Sequence, residues 1–345
     1  MGNQRLSIRS LYPIGFGLLL LAIVSSIVIG PMSISYSDSI KALLPWHTEL
    51  PNHISLVINQ IRLPRTLLCI MIGAILAICG AVMQGLFRNP LADPAIIGVT
   101  GGAGLGAALA IIVFAPIAAQ FPTILNLGAI PLFAFIGGVI STFFVYRLGT
   151  GTNGTSVTVM LLAGVAISAI SGAGLGLLNY VADDQALRDF SLWSMGSLAG
   201  ATWSGIALAT VSFVALFFFF YRKANALNAF LLGESEAKHM GVNVQRLKKQ
   251  LIITCAAGVG VTVSLTGPIG FIGLIIPHLG RMLIGPNHKN LIPVSALLGA
   301  FILLLADMIA RTAFAPQELP VGIITAIIGA PFFIMLLIQQ KGRMA

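Results

Sequence analysis

Runs of apolar residues about 20 positions long recur along the whole chain, and short polar segments separate them. A run of about that length, wound as an α-helix, crosses a hydrocarbon layer roughly 30 Å thick. The sequence does not show the alternation of apolar and polar positions that marks the strands of a membrane barrel. The pattern therefore predicts an all-α, polytopic membrane protein. The ten predicted spans are roughly residues 11–32, 62–86, 95–116, 127–148, 156–178, 202–221, 248–267, 269–285, 291–311 and 320–340.

The first apolar run follows Arg5 and Arg9, as in a signal peptide. It is longer than the apolar core of such a peptide, and no clean small-x-small cleavage site follows it. We interpret it as a retained first membrane helix.

Composition supports the membrane interpretation. The chain is 57% hydrophobic and 8% charged, whereas a soluble domain is about 45–50% apolar and about 25% charged. The formal net charge of +9 does not point to nucleic acid, because basic residues in a membrane protein mostly mark the cytoplasmic side.

The basic residues also predict the orientation. An even number of spans places both termini on one side, together with fourteen of the 19 Lys and Arg residues. By the positive-inside rule both termini are cytoplasmic. The five basic residues on the opposite side are Lys41, Arg62, Arg65, Arg188 and Arg311.

The longest cytoplasmic loop, residues 222–249, holds an unusual concentration of charge. Residues 234–240 have the length of two helical turns, with acids early and bases late, which matches the helix dipole. Gly241 is placed to cap that helix. Before it, Leu227, Phe230 and Leu231 have the spacing of one helical face. The loop is predicted to form two short surface helices, and the alternative is a solvated loop.

Several kinds of chemistry have no support in the sequence. It contains no phosphate loop, no HExxH motif and no nucleophile elbow. Gly102-x-Gly104-x-x-Ala107 fits a dinucleotide fingerprint, but no strand precedes it. Asp307 is the main ionisable residue within a span, and Cys69, Cys79 and Cys255 are interpreted as packing residues. A transporter with no nucleotide site and few ionisable residues within its spans would take its energy from a partner.

Five motifs resemble ABC importer permeases of the FecCD type, which serve iron siderophores, haem and vitamin B12. They are RLPR at 62–65, GAVMQGLFRNPLADPAIIGV at 80–99, LGESEAKHMGV at 232–242, GPIGFIGLIIPHLGR at 267–281 and ADMIARTAFAPQELPVGIITAIIGAPFFI at 306–334. The resemblance covers residues from about 60 to the C-terminus. It implies one permease domain, 1–345, with ten spans and the type II importer fold.

The resemblance also implies an assembly. Two copies of the chain would form a homodimer with the pathway on the two-fold axis, in the bacterial inner membrane. Two cytoplasmic ATPase subunits would use ATP and Mg²⁺. The resemblance implies no cofactor or metal bound permanently in this chain. A periplasmic binding protein would deliver the cargo, and no nucleic acid is involved.

Roles for particular residues follow from the resemblance. The loop over 225–242 would seat in a cleft of the ATPase, and the predicted coupling residues are Leu232, Gly233, Glu234, Ala237, Met240 and Gly241. The residues predicted to dock the binding protein are Arg62, Arg65 and Arg311, for which the alternative is interfacial anchoring. The residues predicted to narrow the pathway at its cytoplasmic end are Asn89, Pro90, Leu91, Ser156, Val157 and Thr158, for which the alternative is a plain polar turn.

The cargo is predicted from two segments, residues 180–198 and 87–94, that look closest to haem permeases. Ferric siderophores are the first alternative and cobalamin is the second. His278 is interpreted as a packing or hydrogen-bonding residue and not as a haem ligand, whereas His47 and His53 could touch cargo or simply be solvated. Rival classes are a stand-alone secondary transporter, which would need an intramembrane carboxylate such as Asp307, and a membrane enzyme.

Overall fold

The computed structural model describes residues 8–43, 51–118, 123–152 and 154–344. Within them the chain is almost entirely helical, with one short hairpin. The helices are α1 Ile8–Val28, α2 Tyr36–Ala42, α3 Asn52–Leu56, α4 Leu63–Phe87, α5 Val99–Ala108, α6 Ala115–Ala118, α7 Thr123–Gly149, α8 Val157–Val181, α9 Asp184–Ser194, α10 Trp203–Leu232, α11 Glu234–His239, α12 Val244–Thr266, α13 Ile272–Ile284, α14 His288–Thr312 and α15 Val321–Met344. The hairpin pairs β1 Thr150–Gly151 with β2 Gly154–Thr155 in antiparallel register.

A helix occupies each of the ten predicted apolar segments, which confirms the all-α membrane fold. Eight helices in the described residues are long and apolar enough to cross a membrane. The third and eighth segments form shorter apolar helices, Val99–Phe114 and Ile272–Ile284. The α3 and α4 helices join through a π-helical stretch, Val57–Arg62, into one rod of 36 residues.

The break between α12 and α13 falls where the sequence places it. Gly267 has φ +68°, a conformation that strongly favours glycine. A Cβ at this position would also collide with the carbonyl oxygen of Trp193. Helix α12 therefore ends at Thr266, before Pro268.

The α4 helix is the centre of the bundle. Its span is 83% buried, and it is surrounded by α10, α12, α13 and α14. At two crossings only glycine fits, because a Cβ on Gly73 would collide with the carbonyl of Gly299, and one on Gly80 with that of Gly273. Small residues of this kind let membrane helices approach closely.

Several helices leave broad apolar faces uncovered, among them α1, α8, α10 and α15. The spans of α8 and α15 are only 17% and 28% buried. Exposed side chains on them include Leu162 and Val165 of α8 and Ile327 and Ile338 of α15. In a membrane such faces meet lipid or a second protein chain.

Candidate coupling surface and ion-pair clusters

The short helix α11 lies between α10 and α12 and is bounded by two glycines. Gly233 precedes it with φ +137°, and Gly241 follows it with φ +84°. Acidic residues occupy its first turn and basic residues its last turn, which suits the helix dipole. At its end the N–H of Gly241 donates to the carbonyl of Lys238, and that of Val242 to the carbonyl of Ala237, each at 3.0 Å. These paired bonds are those of a left-handed glycine cap, and the predicted helix with its Gly241 cap is confirmed.

The other short helix predicted in this loop is not separate. Residues 203–232 form one helix of 30 residues, about 45 Å long, which exceeds a hydrocarbon layer of roughly 30 Å. Its last turns therefore project beyond the membrane. Leu227 and Phe230 are buried against the bundle, so the predicted apolar face exists, but it belongs to α10. The helix continues because no glycine or proline lies between Gly205 and Gly233.

Three large apolar side chains flank α11 and point outward. Leu232 is 68% exposed, Met240 is 63% exposed and Leu231 is also exposed. We call Leu231, Leu232 and Met240 the coupling surface. These side chains lie on a predicted water-facing loop, where exposed apolar groups are candidates for contact with another protein.

Ala237 lies on the opposite side of α11. It is 0% exposed and belongs to the main hydrophobic core, so it supports α11 from beneath. A direct contact between Ala237 and a partner does not fit this placement, which corrects that prediction. Glu234 remains half exposed, although its carboxylate is paired within the chain.

A buried lysine joins α11 to the rest of the chain. The Nζ of Lys248 lies 2.6 Å from Oε1 of Glu234, donates to the carbonyl of Thr155 at 3.0 Å and lies 5.9 Å from the ring centroid of Phe230. One turn away, Oε1 of Gln245 accepts the N–H of Thr155 at 2.9 Å. Two side chains of α12 thus hold both backbone groups of one hairpin residue.

The two segments predicted to form a cytoplasmic gate belong to different helix ends, the first just after α4 and the second at the start of α8. In the first, Asn89-Pro90-Leu91, the Asn89 side chain accepts the N–H of Leu91 at 2.9 Å, and Asn89 and Pro90 line a cavity of about 360 Å³. In the second, Ser156-Val157-Thr158, Ser156 caps α8 by accepting the N–H of Val159 at 3.4 Å. Neither this cavity nor the one lined by the hairpin is lined by both segments, and their role as a gate stays a prediction.

At the other end of α4, Arg62 binds the end of α1. Its guanidinium donates to the carbonyls of Ile27, at 2.9 Å, and of Val28 and Met32. These acceptors lie at or just after the C-terminus of α1, where carbonyls lack helical partners. Arg62 therefore closes the end of the first helix.

Arg65 and Arg311 share one buried carboxylate. Asp307 is 0% exposed, and its Oδ1 accepts from Nε of Arg65 at 2.9 Å. Its Oδ2 lies 3.1 Å from Nε of Arg311, an electrostatic contact that is not aligned as a hydrogen bond. Arg65 also pairs with Glu318. Arg311 donates to the hydroxyl of Ser26 at 2.7 Å and to its carbonyl at 3.1 Å.

The structure therefore buries all three arginines predicted to dock a binding protein. Each is at most 3% exposed and has partners within the chain. A partner's carboxylate would reach these groups only by breaking the internal bonds. We assign Arg62, Arg65 and Arg311 to holding the ends of α1, α4 and α14 together.

The histidines and cysteines form no metal site in the described residues. His278 meets the ring of Phe332 edge-on, with centroids 6.0 Å apart. His53 is exposed, and His47 lies outside the described residues. The three cysteines are buried and unpaired by disulfides.

Sequence reasoning missed two partners that complete these clusters. Glu318 lies in the motif quoted above, but nothing in its spacing ties it to Arg65, which is 253 positions away. Lys248 was counted only as cytoplasmic charge. The signal that could have predicted the buried arginine cluster was Asp307, because a carboxylate inside an apolar span requires a cationic partner.

Comparison with known proteins agrees with this architecture. The model of the FecCD transport family matches residues 18–339. The hemin transport system permease protein HmuU of Yersinia pestis is 42% identical over 330 residues, covering 95% of this chain and 96% of that protein. The cobalamin import system permease protein BtuC of Halobacterium salinarum is 41% identical over 299 residues, covering 87% of this chain and 78% of that protein.

A solved structure described as a metal-chelate type ABC transporter in an inward-facing conformation is also similar. It superposes with a TM-score of 0.80 at 33% identity, covering 96% of this chain and 99% of that one. Similarity in both sequence and fold thus extends over nearly the whole chain.

Proposed function

Because the chain belongs to the FecCD transport family, it is a membrane-spanning permease subunit of an ABC importer, and we propose that its cargo is haem. The observation that carries this choice is the match to the hemin permease, which combines 42% identity with nearly end-to-end coverage of both proteins. A cobalamin permease is about as similar in identity, and vitamin B12 permeases are matched just as fully but at 37–38% identity. Ferric siderophores and cobalamin are the alternatives that a transport assay separates.

Energy would come from a separate ATPase subunit bound at the coupling surface. The chain contains no phosphate loop, and Leu231, Leu232 and Met240 offer exposed apolar contacts beside α11. ATP and Mg²⁺ would be used by that partner, with no cofactor held permanently in this chain. Two ATPase subunits would serve two permeases.

A second copy would cover the open faces of α8 and α15. Self-association through one shared patch gives a two-fold axis, and α8 begins with Ser156-Val157-Thr158. A two-fold pathway would bring the gate segments of both copies together at its cytoplasmic end. A periplasmic binding protein would dock at the opposite end, where the buried arginines fix the positions of α1, α4 and α14.

The cargo assay uses the permease–ATPase complex in lipid vesicles, with its periplasmic binding protein. We expect ATP-dependent uptake of haem and no comparable uptake of a ferric siderophore or cobalamin. Preferential uptake of either alternative would refute the haem assignment while leaving the permease class intact. Uptake that continues without ATP would contradict dependence on an ATPase.

Orientation is tested by labelling cysteines from outside the cell. Cys69, Cys79 and Cys255 are first replaced by alanine, and single cysteines are then placed at Ser235 or Asn52, both of which are exposed. Since the basic residues place α11 in the cytoplasm, an impermeant maleimide is expected to label position 52 only. Labelling at position 235 in intact cells would overturn the proposed orientation.

A further inference from the structure

The side chain of Lys248 lies between two parts of the proposed machinery that are distant in sequence. One is α11, beside the coupling surface. The other is the β1–β2 hairpin, which leads directly into α8 and the predicted gate segment 156–158. The Lys248 ammonium contacts Glu234 of α11 at 2.6 Å and the carbonyl of Thr155 at 3.0 Å.

We propose that Lys248 is a positioning residue that passes movement of α11 to the start of α8. The proposal rests on the proposed function, because it takes α11 as the element that the ATPase moves. It extends that function by assigning the connection from the partner contact to the gate to one side chain of α12.

Burial makes this connection stiff. Lys248 is 3% exposed. A buried ammonium that loses its counter-charge is strongly destabilised, because its desolvation is no longer compensated. When α11 moves, the ammonium must therefore follow Glu234 or be left uncompensated. Its hydrogen bond to Thr155 carries the same displacement to the hairpin.

The hairpin is held in a way that transmits such a displacement. Gln245 fixes the N–H of Thr155 while Lys248 fixes its carbonyl. The N–H of Ser156 donates to the carbonyl of Gly149 at 2.9 Å and closes the hairpin. Since Ser156 is also the N-cap of α8, the hairpin and the start of α8 move together.

The test variant is Lys248→Met, which keeps an unbranched apolar stem beside Phe230 and removes the charge. In vesicles we expect the ATPase to bind and hydrolyse ATP at close to the wild-type rate. Cargo moved per ATP is expected to fall by about two- to thirtyfold, the range over which single changes alter coupling between sites. The matched control is Lys249→Met, which removes the same charge from the exposed neighbouring position and should leave the ratio unchanged.

A second variant tests the pair. Glu234→Gln should lower the same ratio, and the double variant should be no worse than Lys248→Met, because both changes break one connection. If Lys248→Met does not insert, the partly exposed Glu234 gives the decisive result. A wild-type ratio in Lys248→Met, or additive losses in the double variant, would overturn the proposal. So would loss of ATPase binding in step with transport, which assigns Lys248 to the contact itself.

Failure of the proposed function has a different signature. A wild-type complex without ATP-driven uptake would refute the importer assignment. A wild-type complex that transports normally, with Lys248→Met equally well coupled, refutes only the role of Lys248.

Discussion

Replacing Leu232 or Met240 by aspartate is expected to weaken binding of the ATPase subunit by about thirtyfold or more, since loss of an apolar anchor at an interface costs about 2 kcal/mol or more. Both side chains are more than 60% exposed, so a carboxylate at either position is solvated in the free chain. Folding and insertion should therefore be unaffected. The penalty appears only when the coupling surface is covered. The measurement is ATPase affinity for the purified permease, with transport as the second readout.

Two controls separate the apolar contact from a general effect of charge. Met240→Leu conserves volume and polarity and should bind normally. Asn287→Asp adds the same negative charge to another loop on the predicted cytoplasmic side while keeping the side-chain oxygen that caps α14. Normal ATPase affinity in both aspartate variants would show that Leu232 and Met240 lie outside the interface.

The second large effect is expected from Asp307→Asn. The variant keeps the shape of the side chain but leaves Arg65 and Arg311 close together without their shared negative charge. Removing one partner of a buried ion cluster costs about 3–5 kcal/mol. We expect poor yield and a clearly lower unfolding midpoint of the purified protein in detergent.

The comparison variant is Glu318→Gln, which removes the outer partner of Arg65. Its carboxylate is a third exposed, so the loss should be about 1 kcal/mol or less. An Asp307→Asn protein with a normal midpoint, but with transport that has lost its dependence on an ion gradient, would contradict a structural role. That result would favour the secondary-transporter alternative.

The same geometry explains why reversing Arg65 to glutamate is a poor probe of docking. The new carboxylate would face both Asp307 and Glu318, and Arg65 is buried. Like charges in a buried site destabilise the fold. Loss of binding-protein capture in such a variant would therefore report misfolding.

Much of the fold is local and was predictable from the sequence. Long apolar runs must satisfy their backbone hydrogen bonds internally in a membrane, which leaves the helix as their natural form. Gly267 with Pro268, and Gly241, mark helix ends through their own backbone chemistry. These signals placed all ten principal helices, and the helix from Glu234, without knowledge of tertiary contacts.

What escaped prediction depends on contacts between distant positions. Whether an arginine near a span end faces water or a carboxylate is decided by packing, as Arg65 and Asp307, 242 positions apart, show. Ala237 was likewise predicted to touch a partner although it faces the core, because a helix of six residues is too short to show a clear apolar face. The end of α10 was misjudged since charge alone, at Arg222 and Lys223, does not terminate a helix.

The buried bonds to the end of α1 also set an order of events during synthesis. Arg311 reaches Ser26 across 285 positions, which a ribosome adding about 5–20 residues per second covers in roughly 15–60 s. Arg62 emerges early and can close the end of α1 soon after that helix is made. The contact with Arg311 forms only after the ninth predicted span is complete. A nascent chain halted before α14 therefore leaves α1 without its buried contact to Arg311.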